Sequence, residues 1–333
     1  MQPPLFLVVV LALVFAWTNG VHDAANAVAT SITTRTLTLG RALALAAVLN
    51  VVGALFGEGI AHTVGSEIVS PTRDHLGLGA VLAALLAATA WNLVTWWRGM
   101  PSSSSHALLG ALAGAALAAG VQVDQSVVAN KVVLPLLASP VVGFLLAWLL
   151  LRLLLAVFAH ATHANGLRGF RVAQTVSASA MALGHGLQDG QKTMGVVVLA
   201  LVAAGDDPGS GLPLWVKVTV ALMLGLGTWA GGRPLMRTLG RRVVQVDPVT
   251  GFSAETTAAA LLYLTSYVFT VPVSSTHTIT ASIAGAGSAA RGRRAPRLRV
   301  LRRIVVVWLV TLPGTALLAA GCYGAGVLLS RLG

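Results

Sequence analysis

The chain has 333 residues, of which 56% are hydrophobic and only 10% charged, and its mean hydropathy is +0.82. A soluble domain carries charge on about a quarter of its residues, so the composition excludes a soluble enzyme or binding module and indicates a polytopic membrane protein. The net charge of +12 is gathered in loops and is no nucleic-acid signal; the single cysteine, Cys322, excludes an intrachain disulfide and argues against a thiolate metal cluster.

The first apolar run, Leu5–Thr33, follows Met1-Gln2-Pro3-Pro4, which has no side-chain cation. It also runs straight into a polar motif, so it reads as a retained span rather than a signal peptide. It is too long for one plain helix normal to the bilayer, and Asn19-Gly20 at its middle predicts a break that frees backbone groups for an ion. His22 and Asp23 follow. Asp23 and Asn26 lie three apart and share a helical face.

A basic loop, Arg35–Arg41, comes next, then the mixed loop His62–His75. The runs Leu76–Trp97 and Val132–Leu151 are each long enough to cross a bilayer, which takes about 20 residues. Between them stand Pro101-Ser102-Ser103-Ser104-Ser105-His106 and the loop Val121–Ser126 with Asp124. The segment 159–171 reads as a basic linker containing His160 and His163, within the cationic stretch Arg152–Arg171.

The second half repeats the plan. His185-Gly186-Leu187-Gln188-Asp189-Gly190-Gln191-Lys192 carries an Asp and a Lys three apart. Asp206 and Asp207 then mark an acidic loop and Arg233–Arg242 a basic one. Glu255 opens another span, either as a helix N-terminal charge or as a third acidic group on the pathway. Pro272-Val273-Ser274-Ser275-Thr276-His277 echoes the first serine motif, and the cationic cluster Arg291–Arg303 follows.

Asp23 and Asp189 stand 166 positions apart, and Pro101 and Pro272 stand 171 apart. The chain is therefore a duplicated unit, predicted as residues 1–158 and 172–333. Equivalent loops carry opposite charge, as if every one changes side between the halves. An odd number of crossings per repeat does this, and about five are counted in each. The predicted fold is an all-α integral membrane protein of about ten spans in two inverted-topology repeats, with broken helices or re-entrant hairpins at the polar motifs. By the positive-inside rule the arginine-rich loops face the cytoplasm and both termini lie outside. Plain spans from Leu76 to Val121 place the serines near a membrane face; a re-entrant hairpin brings them to depth.

An ionisable residue within a span is a functional candidate by default. Asp23, Asn26, Asp189, Gln191 and Lys192 are the candidates for the coupling-ion or substrate site, although Asp189 and Lys192 equally suit a structural pair. Each serine cluster follows a helix-breaking Pro and precedes apolar sequence, which puts hydroxyls and free amides at a helix N-terminus, a ready anion site. Ser103, Ser104, Ser105, Ser274, Ser275 and Thr276 are accordingly the oxyanion candidates; capping with small-residue packing is the plainer role for such clusters. His22, Gln188, His106 and His277 are candidates to carry a proton or orient these groups, and His185 adjoins the second Asp. A Ser-His-Asp hydrolase is disfavoured, because a nucleophile does not call for two inverted copies.

These four motifs, in this order along nearly the whole chain, resemble those of the inorganic phosphate transporter (Pit) family. Asn19–Ala27 is similar to that family's signature and His185–Gly195 to its partner; Pro101–His106 and Pro272–His277 resemble its two serine/threonine motifs. The resemblance implies inward symport of inorganic phosphate with a cation, sodium or proton, by alternating access in a plasma-membrane homodimer. It implies no cofactor and no resident metal. The family also includes sulfate permeases. Gln188 stands where the family usually has Asn, and His22 stands where many sodium-coupled members have Asn, which leans the coupling toward protons or metal–phosphate complexes.

Overall fold

The computed structural model describes residues 3–68, 75–159, 163–206, 209, 211–231, 233–290 and 297–332. Arg73, Asp74, His160, Asp207 and positions 291–296 of the last basic cluster lie outside the described residues. Thirteen α-helices and no β-strand occur among those described. The first half comprises α1 (Pro3–Thr33), α2 (Leu39–Leu55), α3 (Gly59–His62), α4 (His75–Trp97), α5 (Ser104–Ala118), α6 (Gln125–Val127) and α7 (Leu134–Val157). The second comprises α8 (His163–Ala203), α9 (Leu214–Ala230), α10 (Arg233–Arg237), α11 (Pro248–Tyr267), α12 (Ser275–Ala289) and α13 (Leu298–Leu332). Short π-helical turns extend α3 and α10 and join α6 to α7.

The halves interlock. Helix α1 packs on α9 and α2 on α8; α5 packs on α13 and α12 on α7. Lipid supplies no hydrophobic drive for such pairing, so close van der Waals contact has to hold it, and small residues permit that contact. A Cβ on Gly20 would lie 2.2 Å from the Leu224 carbonyl oxygen, and one on Gly227 2.1 Å from that of Trp17. At the equivalent α2–α8 crossing, Gly53 meets Leu183 and Gly186 meets Asn50 in the same way.

This corrects the expected break at Asn19-Gly20. Helix α1 runs unbroken for 31 residues and α8 for 41. The glycine beside each Asp motif serves close helix approach, and no backbone group is freed there. The break falls instead between α2 and α3, where the axis bends by 68° around residues 56–58 and Gly57 takes φ +82°. The linker expected at 159–171 is also helical from His163 onward, and Phe170 packs against Phe158 and Phe252 with ring centroids 5.3 and 6.0 Å away.

Helices α5 and α12 have 15 residues each, about 22 Å, too short for a core about 30 Å thick. Each follows a six- or seven-residue turn and packs back along its predecessor, α5 on α4 and α12 on α11. Each serine motif thus stands at the turn of a helical hairpin, α4–α5 in the first half and α11–α12 in the second. The hairpin turns sit at opposite ends. Gly99 O in the first accepts from Thr238 Oγ1 at 2.9 Å, and Thr270 O in the second accepts from Thr63 Oγ1 at 3.2 Å.

The loops sort into two groups as their charges predict. Glu58, Glu67, Asp124, Lys131 and Lys217 gather at one end, through Lys131–Glu67 at 2.5 Å, the Glu58–Lys217 pair, and Asp124 N on Ile68 O. Thr34, Thr36, Gln174, Thr238 and Arg297 belong to the other end. Two apolar clusters fill the bundle. One takes Leu5–Ala16 of α1 and the other takes Ala24–Ala29, so the polar motif of α1 falls between them.

Candidate functional site

Between those clusters the two Asp motifs meet the two hairpins. Asp23 on α1 and Asp189 on α8 are at most 1% exposed. Asp23 Oδ2 accepts from Ser104 Oγ at 2.6 Å. Its Oδ1 accepts from Thr276 Oγ1 at 3.0 Å and lies 2.9 Å from His22 Nδ1. Asp189 Oδ2 accepts from Ser275 Oγ at 3.1 Å, and its Oδ1 from Lys192 Nζ at 2.6 Å. His185 stands between the carboxylates, its Nε2 2.8 Å from Asp189 and 3.8 Å from Asp23, close to the former but off hydrogen-bonding direction.

Asn26 donates to Thr276 Oγ1 at 3.0 Å and to Ser275 Oγ at 3.5 Å. The second hairpin therefore touches the Asp motifs of both repeats. Lys192 completes the closure, donating to Ser105 Oγ at 2.6 Å and to Val273 O at 2.5 Å. One ammonium ties α8 to both hairpins.

Apart from the histidines, the candidates divide into three groups. Asp23, Asn26, Asp189, Lys192, Ser104, Ser105, Ser275 and Thr276 form one buried cluster. Ser103 and Ser274 are the N-caps of α5 and α12, their hydroxyls accepting from His106 N at 3.1 Å and His277 N at 3.2 Å. The capping role expected of serines falls to these two, while the next hydroxyls reach the carboxylates. Gln191 and Gln188 stand apart from the carboxylates. Gln191 bridges the α2–α3 break, accepting from Ile60 N at 3.0 Å and donating to Phe56 O at 3.4 Å. Gln188 holds the second hairpin turn through Thr265, Val271 and Val273.

His106 and His277 face each other with centroids 4.4 Å apart, and Trp308 stacks on His277 at 3.9 Å. They lie behind the hydroxyls and brace the helix starts, so neither contacts a carboxylate among the described contacts. His22 does, and its Nε2 reaches Thr95 Oγ1 at 3.2 Å. Thr95 and Trp308 went unnoticed in the sequence because neither belongs to one of the duplicated motifs.

Glu255 is the third buried acid. It accepts from Thr30 Oγ1, from Ser31 Oγ at 2.9 Å and from Ser177 Oγ at 2.6 Å. It thus joins α1, α8 and α11 about two turns from Asp23, a true part of the buried polar stripe rather than a helix-end charge.

The donor set is mixed. Asp23, His185 and Asp189 offer three ligand atoms within 4.8 Å of one another, a geometry suited to a small cation. Around them stand four hydroxyls, one ammonium and the N-termini of two helices, groups suited to an oxyanion. The hydroxyls of Ser104, Ser275 and Thr276 donate to the carboxylates themselves, so the carboxylate and hydroxyl candidates share one cluster.

Interlocked inverted repeats, two opposed helical hairpins and a buried polar cluster at their meeting point define a membrane carrier, not an enzyme. The phosphate transporter family model matches residues 19–168 and again 156–319, and the chain belongs to that family. It is similar to a probable low-affinity inorganic phosphate transporter of Bacillus subtilis, 40% identical over 319 residues and covering 95% of both chains. It is likewise similar to one of Rhizobium meliloti, 41% identical and covering 98% of both. A solved structure described as the sodium-dependent phosphate transporter shares the fold, with a TM-score of 0.85 over 98% of this chain and all of the other at 24% identity.

Proposed function

We propose that the protein is a symporter that imports inorganic phosphate together with a cation by alternating access. The observation that carries this reading is that the hydroxyl donors and the carboxylates share one buried cluster. A tetrahedral oxyanion that takes the hydroxyls of Ser104, Ser105, Ser275 and Thr276 arrives beside Asp23 and Asp189. Like charges at such range repel strongly in a low dielectric, so a cation or proton has to enter with the anion. Lys192 and His185 compensate the carboxylates while the site is empty of substrate. Sodium suits the carboxylate oxygens; a proton suits His22 or His185. Phosphate that carries a proton can donate to Asp23, whereas sulfate can only accept, which favours phosphate.

The closed cluster corresponds to an occluded stage. Asn19, Thr89 and Asn92 hold buried side-chain atoms without protein partners on the α1 and α4 stretches leading from Asp23 toward one end. Glu255 and its hydroxyls lead toward the other. We place the arginine-rich end in the cytoplasm of a plasma-membrane carrier, with both termini outside, and expect a homodimer. Calorimetric titration of phosphate into the purified carrier tests the linkage. The affinity should tighten when sodium is added or when pH falls. An affinity indifferent to both, or tight sulfate binding that phosphate cannot displace, would contradict the proposal.

A further inference from the structure

Two threonines outside the serine motifs make the same set of contacts in the two halves. Thr95 lies in the last turn of α4, six residues before Pro101, and Thr265 in the last turn of α11, seven before Pro272. The main-chain oxygen of each closes a hairpin turn: Thr95 O accepts from Met100 N at 2.9 Å, and Thr265 O from Val271 N at 3.0 Å. The hydroxyl of each donates back to the carbonyl four residues earlier, Thr95 to Trp91 O at 2.8 Å and Thr265 to Leu261 O at 2.7 Å. With its one proton so placed, each Oγ1 is left as an acceptor. It faces the residue that precedes an Asp. His22 Nε2 lies 3.2 Å from Thr95 Oγ1, and Gln188 Nε2 donates to Thr265 Oγ1 at 2.9 Å.

Back-bonding alone is ordinary for a helical threonine. Here the same residue also closes the turn and receives the Asp motif, and it does so in both repeats. The two copies differ in strength. Gln188 adds two bonds to the second turn, donating to Val271 O at 3.4 Å and accepting from Val273 N at 3.3 Å. His22 turns its other nitrogen to Asp23, 2.9 Å from Oδ1, and reaches the first hairpin through Thr95. Ser102 Oγ, donating to Thr95 Oγ1 at 3.1 Å, carries that contact into the turn. His22, Thr95 and Ser102 are at most 2% exposed, so the closed state leaves no bulk water to replace these bonds.

We propose that Thr95 and Thr265 are paired positioning residues of the transport cycle: each latches a hairpin shut on the residue preceding an Asp, and Thr95 is the weaker latch. This rests on the alternating-access reading above. A hairpin that swings away takes its hydroxyls, Ser104 and Ser105 or Ser275 and Thr276, out of the buried cluster. The weaker latch sets the end that opens more readily. That is the arginine-rich end, where the Gly99 turn meets Thr238.

Hydrogen–deuterium exchange of the purified full-length carrier without phosphate reads the latches directly, because amide exchange tracks local opening. Thr95→Val should speed exchange across residues 99–106 about fivefold, the worth of one hydrogen bond, and leave 270–277 unchanged. Thr265→Val should speed exchange across 270–277 by no more than about twofold, because Gln188 keeps its two backbone bonds. Thr95→Ser retains the hydroxyl and should exchange like the parent. If Thr95→Val does not fold, Ser102→Ala, which cuts the latch from the turn side, should loosen the same segment. In proteoliposomes, gradient-driven phosphate accumulation should fall severalfold in Thr95→Val and return in Thr95→Ser. Unchanged exchange at 99–106 in Thr95→Val, a Thr95→Ser variant equally loose, or both turns loosening alike in both variants would overturn the proposal. So would normal accumulation by Thr95→Val. The exchange measurement uses no phosphate, so it judges the latches separately from the symport reading.

Discussion

Lys192→Met removes one buried ammonium and separates the structural from the transport role of its partner. Lys192 is 2% exposed and makes three short bonds, to Asp189, Ser105 and Val273 O. Removing one member of a buried pair leaves an uncompensated charge and costs about 3–5 kcal/mol. His185 still faces Asp189, so the lower end, about 3 kcal/mol, is expected. In a chain of this size each kcal/mol moves the melting temperature by roughly 2 °C, so the shift should be about 6 °C downward. The double variant Lys192→Met, Asp189→Asn carries no stranded charge and should recover about 2 kcal/mol of that loss, so its cost should fall well below the sum of the two single variants' costs. Both variants should be inactive in phosphate uptake. The assay pairs thermal melting in one detergent with uptake into proteoliposomes. Additive melting shifts would refute the pairing, and normal uptake by the double variant would refute the transport role.

Ser104→Ala deletes a hydroxyl that donates to Asp23 at 2.6 Å; phosphate affinity measured by calorimetry should fall about tenfold, the worth of one hydrogen bond to a charged group. Gly227→Val should disrupt the α1–α9 crossing, where even a Cβ meets Trp17 O at 2.1 Å, by about 3 kcal/mol; Gly324→Ala on α13, which meets nothing within 4 Å, should melt like the parent. In a Cys322→Ser background, Cys at the exposed position Ser126 should react with an impermeant maleimide added to intact cells, and Cys at the exposed position Arg41 should react only after lysis. The opposite pattern would invert the proposed orientation.

The duplicated motifs made the repeats, the hairpins and most of the buried cluster legible in the sequence, because a polar residue in an apolar run needs a reason and two copies suggest the same one. Loop charge sorted the two ends correctly, since it depends only on composition. What stayed hidden depended on contact. Asn19-Gly20 has the composition of a break, yet Gly20 sits against the α9 backbone, and no sequence spacing distinguishes a glycine that bends a helix from one that lets another helix approach. Gln191 lies in the same motif as Asp189 but points at Ile60 and Phe56, because the bend between α2 and α3 leaves backbone groups there that need partners. Ser103 and Ser104 are adjacent and chemically identical; the helix start alone assigns one to capping and the other to Asp23.

Uptake of radiolabelled phosphate into proteoliposomes of the purified carrier, with imposed sodium or proton gradients, is the most direct test of coupled phosphate transport. Accumulation above equilibrium under one of the two gradients, abolished by Asp23→Asn in a protein that still melts cooperatively, is the expected result. Phosphate that merely equilibrates under both gradients, as through a passive pore, would contradict it.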